Sequence, residues 1–265
     1  NMPRIYTCAN QKGGVGKTTC TINLGAYLGY YGQRVLIVDL DPQANATSSL
    51  GIDKRTVRQG TYEVLIGSVT LGPHMILHNP RLKISLLPAS SALAGAEVEL
   101  IDLPQREQRL KQALTPILDR YDYILIDCPP SLSLLTINGL VAGKHGVIIP
   151  VQCEYLALEG LGQLAGTIQR VQAGLMPELT IRGVIMTMYD GRTHLSNDVV
   201  QEVRRVFPNQ VFQSVIPRSV RLAEAPSHGL PISAYAPDSS AAQSFAALAR
   251  EILEQDGIHI PDLKE

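Results

Sequence analysis

A glycine-rich segment with two lysines lies near the start of the chain, between an apolar run and a helix-length stretch. It covers residues 11–19 and reads Gln-Lys-Gly-Gly-Val-Gly-Lys-Thr-Thr. Glycines let the backbone curl so that successive N–H groups face one point, and the following helix directs its positive dipole end there. Lys17 would reach the β- and γ-phosphates of a nucleotide, and the Thr18 hydroxyl would ligate Mg²⁺. The spacing predicts a phosphate-binding loop; the alternative is a plain glycine-rich turn.

This segment departs from the usual G-x-x-x-x-G-K-[ST] pattern at one position. Gln11 stands where the first glycine is expected, and an additional lysine, Lys12, follows it. Lys12 cannot occupy the place of Lys17. It is therefore either a solvated loop lysine or a cation directed at phosphate from outside, including phosphate bound by a partner subunit.

Carboxylates follow two of the apolar runs. Asp39 and Asp41 come after residues 35–38, and Asp127 comes after residues 124–126. Open α/β sheets bind ligands at the carboxyl ends of their strands, where carboxylates suit Mg²⁺ or an attacking water. On an extended chain Asp39 and Asp41 would share one face. The alternatives are a solvated aspartate at a strand-end turn and, for Asp127, a helix cap.

Apolar runs alternate with helix-length stretches along the chain. Several runs are continuous, as in residues 35–38, which suits strands covered on both faces. The predicted strands are 4–10, 34–39, 82–88, 123–127, 146–151, 181–188 and 211–216. The predicted helices are 17–31, 105–120, 131–142, 156–173, 194–206 and 239–255. The alternation predicts one α/β domain over residues 1–265, a doubly wound, mainly parallel sheet with helices on both faces.

Composition excludes several classes of protein. The chain has 265 residues, of which 45% are hydrophobic, so it is not a disordered chain. Its four cysteines show no C-x-x-C spacing, which argues against a zinc ribbon or a disulfide framework. No apolar run is long enough to span a membrane, and no leader-like segment opens the chain. We expect a cytoplasmic protein without a membrane partner, and we interpret Asn1, before Met2, as a cloning remnant.

The formal net charge of −1 excludes a protein that coats nucleic acid through bulk positive charge. That charge is unevenly distributed, however. It is +4 over residues 1–60, −3 over 61–181, +3 over 182–221 and −5 over 222–265. Any binding to DNA must therefore be local, and the stretch 182–221 is the candidate.

Five segments of the chain resemble the ParA/MinD ATPases, whose phosphate-binding loop is a deviant Walker A motif. Segment 12–19 resembles that loop, 38–45 resembles switch I, and 121–131 resembles the Walker B strand with switch II. Segments 150–160 and 216–227 resemble the ParA/Soj chromosome-partitioning branch in particular. The resemblance spans residues 4 to about 235. It implies a P-loop ATPase of the deviant Walker A type that hydrolyses ATP with Mg²⁺.

The resemblance also implies roles for single residues in catalysis and at a dimer interface. Lys12 and Gly13 would lie at the interface of an ATP-dependent homodimer, with Lys12 on the partner's phosphates. Lys17 would act on phosphates of its own protomer, and Asp41 would position or activate the hydrolytic water. Because lysine is a weaker planar clamp than arginine, we expect slow hydrolysis.

The remaining site residues are placed by chemistry and resemblance together. The predicted ATP-binding residues are Gly13, Gly14, Val15, Gly16, Lys17, Thr18, Thr19, Glu154, Met186, Pro217 and Arg218. The predicted Mg²⁺ site consists of Thr18, Asp39 and Asp127. Adenine is expected near residues 186–188 and 217–218, and Glu154 is expected at the nucleotide or at the partner subunit; a surface acid at a helix start is the alternative for Glu154.

Relatives in the ParA/Soj branch bind double-stranded DNA without sequence preference as ATP dimers. The candidate contacts here are Arg192, Arg218 and Arg221 in the basic stretch. A few phosphate contacts predict weak, salt-sensitive binding, which a symmetric dimer would double. Residues 236–240 lack the basic side chains that relatives often carry there, so the patch is either weak or supplemented by Arg204 and Arg205.

The resemblance implies a ParB/Spo0J-type protein that stimulates hydrolysis, and a nucleoid-associated location. Three alternatives are a ParA-like positioner of another cargo, a MinD-like membrane switch and an iron–sulfur reductase. The membrane switch would need a basic amphipathic tail, whereas residues 241–265 contain two cations. The reductase would need two cluster cysteines per subunit, and the surroundings of Cys128 and Cys153 resemble partitioning proteins instead.

Overall fold

A computed structural model describes residues 2–14 and 16–260. Within them, seven strands form one sheet: β1 (Arg4–Cys8), β2 (Val35–Asp39), β3 (Leu77–Asn79), β4 (Ile84–Leu87), β5 (Tyr123–Asp127), β6 (Val147–Gln152) and β7 (Ile181–Thr187). The strand order is β3-β4-β2-β5-β1-β6-β7. Neighbouring strands pair in parallel, except that β3 pairs antiparallel with β4 at the sheet edge. The predicted doubly wound, mainly parallel sheet is confirmed.

Helices connect the strands and cover both faces of the sheet. They are α1 (Lys17–Tyr30), α2 (Asn45–Ser49), α3 (Thr61–Ile66), α4 (Leu93–Leu100), α5 (Arg109–Leu114), α6 (Leu134–Ala142), α7 (Ala157–Gly174), α8 (His194–Val206), α9 (Val220–Glu224), α10 (Ile232–Tyr235) and α11 (Ser240–Gln255). The helices α1 and α11 pack together on one face, and α4 to α7 lie on the other. Every residue of β2 and β5 is buried as a result, which explains their continuous apolar sequences.

One predicted strand is wrong. Residues 211–216 form no continuous strand; they share one isolated bridge with β7, between Val184 and Val211. The amides of Phe212 and Ile216 donate to the carbonyl oxygens of Val184 and Met186, at 2.9 Å each, so the segment still contacts β7 at both ends. Between them, the amides of Gln213 and Ser214 donate to the carboxylate of Glu251 on α11, at 2.7 and 3.0 Å, which interrupts the strand pairing.

The predicted helix 105–120 is wrong in its extent. Only Arg109–Leu114 is α-helical, and 3-10 turns flank it at Arg106–Gln108 and Thr115–Arg120. Pro116 cannot donate a backbone hydrogen bond, which favours the break. The sequence patterns also did not predict strand β3 or the short helices α2, α3, α4, α9 and α10.

The cysteines and the helix lengths relate to the classes of protein considered from composition. All four cysteines are free, buried thiols. Among the described residues, no helix has the length and apolarity needed to cross a membrane.

Candidate functional site

The glycine-rich segment connects β1 to α1 at the carboxyl edge of the sheet, beside the ends of β5 and β6. Gly14 and Gly16 adopt left-handed backbone angles, with φ of 74° and 87°, a region that other residues occupy at a cost. Gly16 is also the N-cap of α1, so the free amides of the first helical turn face the loop. The two glycines thus allow the curled backbone that the sequence predicts. Val15 lies outside the described residues.

Lys17 lies at the centre of this loop. The side chain is buried, and its Nζ donates to the backbone oxygen of Lys12 at 3.3 Å. Burial lowers the pKa of Lys17, while the nearby carboxylates of Asp127 and Asp41 oppose that shift. The ammonium group is therefore desolvated and held where the loop amides converge, as binding of an anion requires.

Two adjoining cavities open beside Lys17. One of about 330 Å³ is lined by Gly13, Gly14, Gly16, Lys17, Thr18, Thr19, Asp41, Asn45, Pro130 and Met188. The other, of about 250 Å³, is lined by Gly16, Thr19, Cys20, Thr187, Met188, Ile216, Pro217, Arg218, Ser219, Leu222 and Ala223. The first presents backbone amides and a cation, which suit a polyphosphate; the second presents largely apolar groups, which suit a planar base.

The carboxylate of Asp127 lies fully buried below the phosphate cavity. It accepts hydrogen bonds from the hydroxyls of Thr18, at 2.7 Å, and Thr21, at 3.2 Å. Burial, reinforced by the neighbouring Asp39, raises the pKa of Asp127 to about 8. A buried carboxylate beside a hydroxyl at a phosphate site is a donor set that fits Mg²⁺. The described residues contain no cluster of three metal-binding side chains, so the ion would take its other ligands from phosphate and water.

The structure does not support Asp39 as part of the magnesium shell. One oxygen of Asp39 accepts from the amide and hydroxyl of Thr47, at 2.9 and 2.6 Å, and the other accepts from the amide of Asp41 at 3.1 Å. These bonds hold the turn that follows β2, although burial still raises the pKa of Asp39 to about 6. The strand ends at Asp39, and the turn that follows begins after Asp41.

Asp41, by contrast, lines the phosphate cavity. Its Oδ1 accepts from the amide of Gln43 at 2.9 Å. Burial raises its pKa above the ordinary value, against the effects of Gln43 and of the cations Lys17 and Lys54. The carboxylate is thus available to a water molecule in the cavity.

Lys12 belongs to the same loop but lines neither cavity. Its ammonium forms an ion pair with Glu154, which follows β6 in the same protomer. Glu154 lines neither cavity either, and within one protomer it contacts Lys12. Gly13 lines the phosphate cavity, and a Cβ placed there would meet only Pro130, at 4.0 Å, which is an ordinary contact.

The base-binding prediction needs one correction. Met186 is fully buried in the core as part of β7 and lines neither cavity. Met188, just after the strand and with φ of 52°, lines both cavities. Pro217 and Arg218 line the apolar cavity as predicted. Asn45, Pro130 and Ser219 also line these cavities; they lie in the segments 38–45, 121–131 and 216–227 but were not predicted as site residues.

The arginines of the basic stretch (residues 182–221) differ in whether a neighbouring carboxylate pairs with them. Arg192 is exposed but held by Asp190, with two bonds of 2.9 Å, and this pairing lowers the pKa of Asp190 to about 2. Arg205 is likewise held by Glu202, and Arg204 donates to the backbone oxygen of Gln213 at 3.2 Å. Arg218 and Arg221 are also exposed and make no ion pair within the described part of the chain; they are the cations in this stretch that remain available.

The curled loop, its buried lysine and the aspartate at the carboxyl edge of a parallel sheet define a P-loop nucleotide-binding protein. A family model described as AAA domain matches residues 3–181. The chain is 52% identical to the sporulation initiation inhibitor protein Soj of Bacillus subtilis over 95% of this chain and 98% of the relative. It is 49% identical to the chromosome-partitioning ATPase Soj of Treponema pallidum over 97% and 99%.

The chain belongs to the ParA/Soj family of chromosome-partitioning ATPases. A solved structure has the same fold: the Mycobacterium smegmatis protein described as cobyrinic acid a,c-diamide synthase with bound ADP and magnesium. It is 38% identical, the match covers 100% of both chains, and the TM-score is 0.84.

Proposed function

We propose that the protein is a switch that binds ATP with Mg²⁺, dimerises in that state and binds DNA without sequence preference during chromosome partitioning. The observation that carries the proposal is that the two lysines of the loop lie in different places. Lys17 is buried at the centre of its own phosphate cavity, whereas Lys12 lies in the same loop outside both cavities. A cation so placed would reach phosphates that another protomer holds once it leaves Glu154.

Within one protomer the loop amides and Lys17 bind the phosphates, and the apolar cavity beside Met188 and Pro217 receives the base. Thr18 and Asp127 are the residues that would hold Mg²⁺, which when bound neutralises phosphate charge. Thr18 already donates to Asp127, so the two side chains are positioned before any ligand enters.

Asp41 is the residue we assign to the attacking water. Its carboxylate lines the phosphate cavity and keeps its Oδ2 free of the Gln43 bond, so it can accept a proton or orient a water toward the terminal phosphate. The same burial that raises its pKa makes it a stronger base than an exposed aspartate.

Lys12 and Gly13 form the proposed dimer contact. In a symmetric dimer each Lys12 would release Glu154 and reach the partner's phosphates, adding positive charge where charge spreads in phosphoryl transfer. Gly13 is exposed and has no Cβ, which leaves room for the partner's backbone. Slow hydrolysis, stimulated by a ParB-type protein, would then set the lifetime of the dimer.

Arg218 and Arg221 are the proposed DNA contacts, because their charges are not committed to neighbouring carboxylates. Arg192 would join them only if it left Asp190. Dimerisation doubles a weak patch without moving any arginine, which links DNA binding and a nucleoid location to ATP.

The decisive experiment measures molar mass by light scattering after gel filtration, with and without ATP and Mg²⁺. We expect Asp41→Ala to remain an ATP dimer, since it binds ATP but cannot hydrolyse it. Lys12→Ala should bind ATP yet stay monomeric, whereas Lys111→Ala, an exposed change on α5, should behave as the unmodified protein. An Asp41→Ala variant that binds ATP and stays monomeric would contradict the proposal.

DNA binding is tested on the trapped dimer by salt titration. Adding Arg221→Glu should lower the affinity on any duplex sequence and reduce the salt slope by about one unit per lost phosphate contact. Adding Arg192→Glu should have a smaller effect, because that guanidinium is already neutralised by Asp190. Equal affinity for both variants at low salt would place the DNA surface elsewhere.

A further inference from the structure

A third cavity, of about 650 Å³, lies at the amino edge of the sheet, opposite the phosphate-binding loop. The end of α1, the start of β2, the β3–β4 hairpin and the segment before β5 enclose it. The lining residues that matter here are Val35, Ile76, His78, Lys83, Arg120 and Tyr121. A volume between about 300 and 1,000 Å³ is typical of sites for small organic molecules.

The charged side chains that line this cavity are all of one sign. Arg34, Lys83 and Arg120 line it together with His78, and no aspartate or glutamate among the described residues does. The Arg34 guanidinium is neutralised by Asp122 through bonds of 2.9 and 3.1 Å. Lys83 and Arg120 make no ion pair within residues 2–14 and 16–260. Two cations at one cavity without a counter-charge favour an anionic ligand.

The backbone fixes the position of Lys83. Lys83 adopts a left-handed conformation, with φ of 54°, in the turn between β3 and β4. Its carbonyl oxygen lies so close to α1 that a Cβ on Gly29 would come within 2.7 Å of it. The hairpin thus packs directly on the helix, which fixes the backbone of Lys83 beside the cavity that its side chain lines.

The floor of the cavity carries hydroxyl groups. His78 Nδ1 lies 2.9 Å from the Ser85 hydroxyl, and Tyr121 lines the same cavity. Ser85 and Tyr121 are both buried, and the remaining wall includes the apolar side chains of Val35 and Ile76. An inorganic ion would make no contact with the apolar side chains of Val35 and Ile76.

We propose that this cavity binds a small phosphate-bearing organic molecule, whose anionic group lies between Lys83 and Arg120 and whose apolar body packs against Val35 and Ile76. Charge-assisted hydrogen bonds from the two cations provide the affinity for phosphate. The apolar wall favours a ligand with an organic body over inorganic phosphate. This site is separate from the nucleotide site and does not depend on the proposed switch.

The test uses the full chain with its phosphate-binding loop saturated by a non-hydrolysable ATP analogue and Mg²⁺, titrated by calorimetry with AMP and, separately, with inorganic pyrophosphate. We expect AMP to bind more tightly than pyrophosphate. The double substitution Lys83→Ala with Arg120→Ala should weaken AMP binding at least about tenfold, equivalent to ~1.4 kcal/mol. Arg81→Ala is the matched control, because Arg81 lies in the same turn but does not line this cavity.

The proposal is overturned if neither probe binds up to about 10 mM, well beyond a useful ligand affinity. It is also overturned if the double variant binds AMP as the unmodified protein does. The single changes Lys83→Gln and Arg120→Gln keep the test valid if the double variant folds poorly, since each should weaken AMP binding. Lys17→Ala gives a further control: it should weaken nucleotide binding at the loop and leave AMP binding at this cavity unchanged.

Discussion

The two edges of the sheet bury charged groups in opposite ways. At the amino edge, Asp256 is surrounded by partners: it accepts from the hydroxyls of Tyr6 and Tyr123, each at 2.7 Å, and pairs with Arg182 at 3.1 Å. At the carboxyl edge Lys17, Asp41 and Asp127 are also buried, yet no ion pair within 4 Å joins the lysine to either carboxylate.

The polar groups at the amino edge thus stabilise the fold, whereas those at the carboxyl edge are placed to bind a ligand. Burying a charge is costly unless partners compensate it. The Asp256 cluster closes on itself, and burial together with Asp256 raises the pKa of Tyr6 to about 12. At the loop site no ion pair within 4 Å joins Lys17 to Asp41 or Asp127, and the pKa values of all three groups are shifted from their ordinary values, which is typical of functional sites. Substitutions at the carboxyl edge should therefore weaken ligand binding with little loss of stability, whereas substitutions at the amino edge should lower stability and leave ligand binding unchanged.

The largest expected effect is that of Lys17→Ala. It removes the central cation of the phosphate cavity, so ATP affinity should fall by about 100-fold or more. The melting temperature without nucleotide should stay the same or rise, because a desolvated charge is lost. Fluorescent ATP-analogue binding and thermal unfolding measure the two effects. A Lys17→Ala variant that melts at a lower temperature but binds ATP normally would contradict the difference proposed between the two edges.

Asp256→Ala should show the reverse behaviour. Removing the carboxylate leaves Arg182 and two tyrosine hydroxyls without their shared partner, which should cost about 3–5 kcal/mol of unfolding free energy. The ATP affinity of the folded protein should not change, since the cluster lies at the opposite edge. Urea unfolding and nucleotide binding under native conditions check both statements, with Asp256→Asn as the milder companion.

Asp39 and Asp41 allow the same comparison, between a stabilising group and a functional group, within the carboxyl edge. Asp39→Ala leaves three donors from Thr47 and Asp41 unpaired and should destabilise the fold by about 1–3 kcal/mol. Asp41→Ala should leave stability nearly unchanged and abolish hydrolysis. If chemical unfolding showed the larger loss for Asp41→Ala, the division of roles between these aspartates would be wrong.

The smallest expected effect is a pH dependence at the amino edge. His145 accepts a hydrogen bond from the amide of Ile5 at 2.9 Å through Nδ1, and burial, with the nearby cations, lowers its pKa below 6.5. A group whose pKa is lowered on folding contributes stability above its unfolded value and loses that contribution as the pH falls below it. His145→Asn should therefore reduce the drop in melting temperature between pH 7.5 and 5.5, since asparagine can accept the same bond without titrating. An unaltered drop would assign the acid sensitivity to other groups.

Much of the fold was predictable because its signals are local. The runs 35–38 and 123–126 are apolar at every position, and strands buried on both faces require that. The strand predicted at 211–216 is interrupted because Glu251, distant in sequence, accepts from the amides of Gln213 and Ser214. The helix predicted at 105–120 gives way to a 3-10 segment at Thr115–Arg120, where Pro116 lacks a backbone N–H donor.

The sequence alone determined the phosphate-binding loop, since glycine conformation, the lysine and the helix start are encoded within nine consecutive residues. Tertiary structure decided which groups complete it. It placed Met188 in the cavity and Met186 in the core, turned Asp41 toward the phosphates while Thr47 held Asp39, and paired Lys12 with Glu154. Those outcomes depend on where strands end and on which distant side chains arrive at the same edge, and a residue pattern does not specify either.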